Sequence, residues 1–264
     1  MTMPTGRVLQ VAFGAAALTA GALVGLYYWK RRSNKKKPAR VIIAITGFGK
    51  FNGVGDNPTE RFVKAMPFFL KANPLPDHVV VDRCIVLEVS AEACKEELDI
   101  MRSTVFQSSD DARVYLHLGV AVKTNTFKLE TTAWNEATFR VPDERGWEPA
   151  SQPIYPDDGK VSAKRRTRLP IGLITRKLQR LNFPVSLSSD PGRFICNYLY
   201  YESLRRCCPP PLPDAPAPPP TNPDDYITEH SLFLHVPPTE VIDEARQMAF
   251  LHTLLTTIAD CLCT

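Results

Sequence analysis

Five consecutive apolar residues, Val41-Ile42-Ile43-Ala44-Ile45, leave no side chain to turn toward water. A strand of this kind is covered on both faces, which is the habit of a parallel sheet sandwiched between helices. The same texture returns at Val79-Val80-Val81, Ile85-Val86-Leu87, residues 114–119 and residues 231–236. Between these runs the apolar spacing turns helical. Residues 59–71 carry Phe62, Val63, Met66, Phe69 and Leu70 on one side, with Pro67 expected to kink the helix or end it early. Residues 91–101 and 240–261 read as two more helices. Another opens at Leu169-Pro170 with the proline in its first turn. The stretch from the Glu130 region to about Arg168 reads as a polar loop. The alternation predicts an α/β fold over residues 41–264: a single domain with a twisted, largely parallel sheet and helices on both faces, of a size that one core supports.

Residues 9–29 are uncharged and about 20 long, which suffices for a bilayer-crossing helix. Tyr27-Tyr28-Trp29 close the run like an interfacial belt, and six basic residues follow at Lys30-Arg31-Arg32 and Lys35-Lys36-Lys37. A cleaved signal would carry its charge ahead of the apolar core, and a matrix-targeting peptide would be amphipathic and rich in arginine. The expectation is therefore a membrane anchor and basic linker over residues 1–40. It makes the chain a single-pass membrane protein with its folded body facing the cytosol, the outer mitochondrial membrane being one candidate. Residues 209–223, with two Pro-Pro-Pro runs, cannot join a sheet and read as an exposed insertion. A Pro-binding domain is a weaker expectation there than a plain surface loop.

The formal charge of +4 misleads about the folded body. Without the basic cluster the remainder is slightly acidic, about −2, so nothing favours nucleic acid. The seven cysteines form no Cys-x-x-Cys pair and have no zinc spacing with the five histidines, so no metal is expected and a reducing compartment is the simpler reading.

Chemistry concentrates elsewhere. Val185-Ser186-Leu187-Ser188 leads into a Pro191-Gly192 turn, and Cys196 then heads a segment with helical spacing. A cysteine in that position meets unpaired backbone N–H groups and the positive end of the helix dipole, which favours the nucleophilic thiolate. Locally, an inert packing cysteine is the commoner outcome. Two further residues shift the balance. Glu130 follows Phe127-Lys128-Leu129 upstream, and His235 ends an apolar strand downstream. A carboxylate, a cysteine and a histidine suit the roles of orienter, nucleophile and base.

These blocks resemble the pyroglutamyl peptidase I family of cysteine peptidases. The resemblance is carried by Thr46-Gly47-Phe48 with Phe51 and Asn57; by Glu130 with Asn135 and Arg140-Val141-Pro142-Asp143; by Asp190-x-Gly192-x-Phe194-x-Cys196-Asn197; and by Phe233-x-His235-Val236-Pro237. It implies a cofactor-free exopeptidase that removes the N-terminal 5-oxoprolyl residue from peptides. It implies Cys196 as nucleophile, His235 as general acid and base, and Glu130 as the carboxylate orienting His235. It also implies that Phe48, Phe51, Val141, Phe194 and Ile195 line an apolar pocket for the ring and that Asn57 helps hold that pocket. Departures stand at Gly119-Val120-Ala121-Val122-Lys123, where bacterial members have a glycine-rich Gln-Ala-Gly-Gly stretch, and at Lys50, where many have proline. A catalytically silent scaffold presenting the Pro-rich loop and an amidohydrolase acting on a non-peptide lactam are the competing functions. His117 and His252 read as structural, as do Cys84 and Cys94.

Overall fold

The computed structural model describes residues 37–51, 55–103, 110–207 and 229–263. Residues 38–264 group as one compact unit. Strands β1 (Arg40–Phe48), β2 (Val79–Leu87), β3 (Asp111–Val120), β4 (Phe127–Glu130), β7 (Val185–Ser188) and β8 (Glu229–Val236) form a six-stranded sheet in the order β2-β1-β3-β8-β4-β7. The first four are parallel to one another. β4 runs antiparallel to β8, and β7 parallel to β4. The sheet is thus mostly parallel, with its direction reversed at one edge.

Five α-helices among the described residues cover it. α1 (Pro58–Ala72), α3 (Ile171–Arg180) and α5 (Glu244–Cys263) bury one face with Val41, Ile43, Ile45, Leu234 and their neighbours. α2 (Ala91–Ser103) and α4 (Ile195–Cys207) bury the other, with Ala44, Tyr115 and Phe233. The continuous apolar runs therefore do what their pattern demands: alternate residues feed two separate cores. A short ribbon, β5 (Thr132–Trp134) against β6 (Lys164–Arg166), interrupts the stretch expected to be loop.

Two local expectations need adjustment. α1 continues past Pro67 to Ala72. Pro67 itself is exposed, and Phe62, Val63 and Met66 just before it are buried in the core, so tertiary packing keeps the helix running through the proline. Pro170 is the residue preceding α3 rather than part of its first turn.

The localisation expected from the N-terminal run is corrected. No helix among the described residues is long and apolar enough to cross a membrane. α5 has the length, but it carries Glu244, Arg246 and Asp260, and its apolar side is spent on the sheet. Residues 9–29, on which the single-pass anchor and the outer mitochondrial membrane rested, lie outside the described residues, as does the Pro-rich segment 209–223. The chain leaves α4 at Cys207 and re-enters β8 at Glu229, in each element the end opposite Cys196 and His235.

Candidate active site

Glu130 ends β4 and His235 lies near the end of the adjacent β8, on the face covered by α4. Antiparallel pairing sets Glu130 opposite Phe233, so His235 is its diagonal neighbour two residues on. The imidazole Nδ1 and Glu130 Oε1 are 2.8 Å apart in a buried hydrogen bond. Tyr200 on α4 donates its hydroxyl to the Glu130 carbonyl at 2.7 Å. Burial opposes a charge on His235, but hydrogen bonds and attraction from Cys196 and Glu130 outweigh it and raise the imidazole to about 9. With that shift the imidazole holds its proton at neutral pH, between the Cys196 sulfur and the Glu130 carboxylate.

Cys196 is the second residue of α4, at its N-terminal end. Gly119, paired with His235 across β3 and β8, gives the sulfur room. A Cβ there would sit 3.3 Å from Cys196 Sγ and 2.8 Å from Phe233 Cζ. The sequence reading put this glycine at the end of an apolar strand and in a departing stretch but not in the site, although a glycine in that position is itself a sign of close approach. The next residue, Asn197, is wholly buried and ties α4 to the segment after Glu130. Its amide donates to the carbonyls of Trp134 and Glu136 at 2.8 and 2.9 Å, and its oxygen accepts from Trp134 N at 2.8 Å.

Cys94, Cys84 and His117 differ in kind from Cys196 and His235. Cys94 is fully buried and its thiol is pushed well up by that burial; burial, with Asp82 adding to it, raises Cys84 to about 11. His117, also buried, shares a hydrogen bond with Thr46 Oγ1 at 2.8 Å, and burial lowers it to about 3, so it stays neutral.

A cleft of about 890 Å³ opens at Cys196, Glu130 and His235. Phe48, Phe51, Phe194 and Ile195, four of the residues that the resemblance puts around the ring, line it, and so does Asn57. The Phe51 and Phe194 rings lie 5.7 Å apart, and Phe139 meets Phe194 edge-on at 4.7 Å. Asn57 caps α1: its oxygen accepts from Thr59 N at 3.1 Å, and its amide donates to the Gly49 carbonyl at 3.1 Å. It thereby pins the loop that carries Phe48 and Phe51. Val141 does not line the cleft; its neighbour Arg140 does. Lys123, Lys128 and Arg193 also line it, and none of them was singled out from the sequence. Arg193 is held by Glu136 at 2.8 Å and Asp190 at 2.6 Å, which braces the turn leading to Cys196.

An α/β sandwich that gathers a cysteine, a histidine and a carboxylate at the mouth of an aromatic-walled cleft has the architecture of a cysteine hydrolase. The family model described as pyroglutamyl peptidase matches residues 41–210. The pyrrolidone-carboxylate peptidase of Pyrococcus furiosus is 30% identical over 204 residues, covering 76% of this chain and 84% of that protein. Its counterpart from Bacillus subtilis is 26% identical over 220 residues, 81% of this chain and 86% of that one. The chain belongs to the pyroglutamyl peptidase family. Solved structures agree in fold. Pyrrolidone carboxyl peptidase from Thermus thermophilus superposes with a TM-score of 0.58 at 25% identity, covering 81% of this chain and 99% of that one. A mutant enzyme from Pyrococcus furiosus gives 0.63 at 24%, covering 83% and 97%.

Proposed function

We propose that this chain is a cysteine exopeptidase that hydrolyses the bond after an N-terminal pyroglutamyl residue, with residues 41–264 as its catalytic domain. Family membership supports the activity. The observation that carries the assignment of roles is the buried 2.8 Å pair of His235 and Glu130 beside Cys196. Cys196 Sγ, as thiolate, attacks the carbonyl that follows the ring and forms a tetrahedral oxyanion. Backbone N–H groups at the head of α4, that of Cys196 included, stabilise the negative oxygen. Protonated His235 gives its proton to the leaving amine, and the C–N bond breaks to leave a thioester. Neutral His235 then takes a proton from water, whose oxygen attacks the thioester; the carboxylic acid departs and the thiolate returns. Glu130 holds the imidazole by its Nδ1–H, which points Nε2 at the reacting atoms.

The cleft wall suits this substrate. Pyroglutamate is a flat, neutral lactam without a free amine, and Phe48, Phe51 and Phe194 offer ring faces and edges rather than a carboxylate for an ammonium. A prolyl N-terminus has a similar ring but brings a positive charge, whose burial without a partner costs several kcal/mol. A pyroglutamyl fluorogenic amide is therefore expected to be turned over at least about a thousandfold faster, in kcat/KM, than the prolyl amide. Cys196→Ala should abolish the reaction in a protein of unchanged circular dichroism. Comparable rates on the two amides would remove the substrate assignment, and full activity in Cys196→Ala would remove the mechanism.

A further inference from the structure

We propose that Lys128 reads a carboxylate on the leaving side of the scissile bond, so that the enzyme favours substrates whose first residue after pyroglutamate presents a negative charge. The inference rests on the pyroglutamyl-peptidase reading above and adds a substrate class to it.

Strand geometry comes first. Lys128 pairs directly with His235 across β4 and β8. Directly opposed residues of an antiparallel pair share a face, with Cβ atoms about 4.5–5.5 Å apart. Lys128 also stands two residues before Glu130 and so on its face of β4, while Phe127 and Leu129 turn to the opposite core. The lysine is half-buried and lines the cleft beside the His235–Glu130 pair.

The strand order then gives direction. Phe48 ends β1 and Phe51 follows it. In the order β1-β3-β8-β4 they lie to one side of His235, and Lys128 lies to the other. With the lactam ring among the aromatic residues and the carbonyl at Cys196, the amine that receives the His235 proton departs over β4.

Charge completes the case. Arg61 in the cleft is engaged by Asp56 and Glu244, and Arg193 by Glu136 and Asp190. Lys128 makes no ion pair or hydrogen bond among the described residues, and neither does Lys123 in the cleft-lining turn after β3. Of the acidic residues lining the cleft, Glu130, Asp56 and Asp190 are committed to His235, Arg61 and Arg193, which leaves Glu240. An unpaired, half-buried ammonium beside an apolar wall is a place where an incoming carboxylate gains more than it would in water.

The carboxylate has two sources, an acidic side chain or the terminus of a dipeptide. The test measures kcat/KM of the full chain on pyroglutamyl-glutamate amide, pyroglutamyl-alanine, pyroglutamyl-alanine amide and pyroglutamyl-lysine amide, with a neutral pyroglutamyl coumarin amide alongside. One or both carboxylate-bearing peptides should exceed the alanine amide by about five- to tenfold, and the lysine amide should be slowest. The spread should narrow as salt rises from about 0.05 to about 0.5 M. Lys128→Glu should reverse the glutamate-to-lysine ratio. An advantage confined to pyroglutamyl-glutamate amide names the side chain as the source, and one confined to pyroglutamyl-alanine names the terminus. A flat series from an enzyme that turns over the coumarin amide overturns the role of Lys128, as does a ratio unchanged in Lys128→Glu. Failure of the wild type on the coumarin amide overturns the function itself, and this inference with it.

Discussion

Gly119→Ala should disable the enzyme although it replaces none of the proposed reacting side chains. The added methyl would lie 2.8 and 2.9 Å from Cζ and Cε1 of Phe233 and 3.3 Å from Cys196 Sγ. Carbon pairs rest at about 3.5–4.0 Å, so the ring must retreat by roughly 0.7 Å or more. It has little freedom to do so. Phe233 is fully buried and packs against Tyr200 at 5.9 Å and His235 at 4.8 Å. Retreat pushes either the residue that holds the Glu130 carbonyl or the imidazole itself. Overpacking of this kind costs about 1–3 kcal/mol, and displacing a reacting group by about 1 Å costs on the order of a hundredfold in rate. Urea unfolding and kcat on a pyroglutamyl amide measure the two effects. Gly172→Ala is the control: the same methyl in α3 would meet only Arg176 Nη1 at an ordinary 3.6 Å and should stabilise by about 0.5–1 kcal/mol. A Gly119→Ala enzyme as stable and as fast as wild type would refute the claim that this glycine makes room for the sulfur.

Two further outcomes follow from the histidine. Glu130→Gln keeps an oxygen for the Nδ1–H but removes the charge, so kcat should fall by about a hundredfold or more with KM little changed; a change confined to KM would make Glu130 a binding residue. His235 is raised from 6.5 to about 9 in the folded protein, so its contribution to stability is fully present below about pH 6.5 and is lost as pH rises through about 9. At ~1.4 kcal/mol per pH unit that is on the order of 3 kcal/mol. It should appear as a decline in urea midpoint between pH 6.5 and 9 that His235→Asn flattens, and equal slopes in the two proteins would contradict it.

What the sequence disclosed and what it hid have physical causes. The runs at Val41 and Val114 were legible because a strand covered on both faces is apolar almost throughout, with His117 as the one strongly polar side chain among residues 41–45 and 114–119. Cys196 was legible because a turn followed by helical spacing marks a helix head. The ribbon of Thr132–Trp134 and Lys164–Arg166 was not, since three-residue strands have too few alternations to show a period, and one of them is wholly basic. The reversed direction of β4 was hidden because Phe127–Glu130 alternates between a core and the cleft in either orientation. Val141 was carried over by resemblance, and the backbone after Phe139 turns Arg140 to the cleft instead. Lys128 was given no role from the sequence, because nothing in Phe127-Lys128-Leu129-Glu130 reveals the pairing that sets it opposite His235. The expected anchor depended on a segment that the described fold does not include.

The exit at Cys207 and the return at Glu229 have a consequence for how the enzyme could be taken apart. α4 rises about 18 Å from Cys207 to its head, and β8 about 20 Å from Glu229 to His235. A protease cut between these two points would sever no strand or helix among the described residues. It would divide the proposed nucleophile from the proposed proton carrier, with Glu130, Cys196 and the aromatic wall on the longer fragment and His235 on the shorter. Among the described residues the two pieces would remain joined chiefly through β8, held between β3 and β4, and through α5 against the sheet. Catalysis would then depend on the reassociation of two fragments, neither of which holds a complete set of reacting groups.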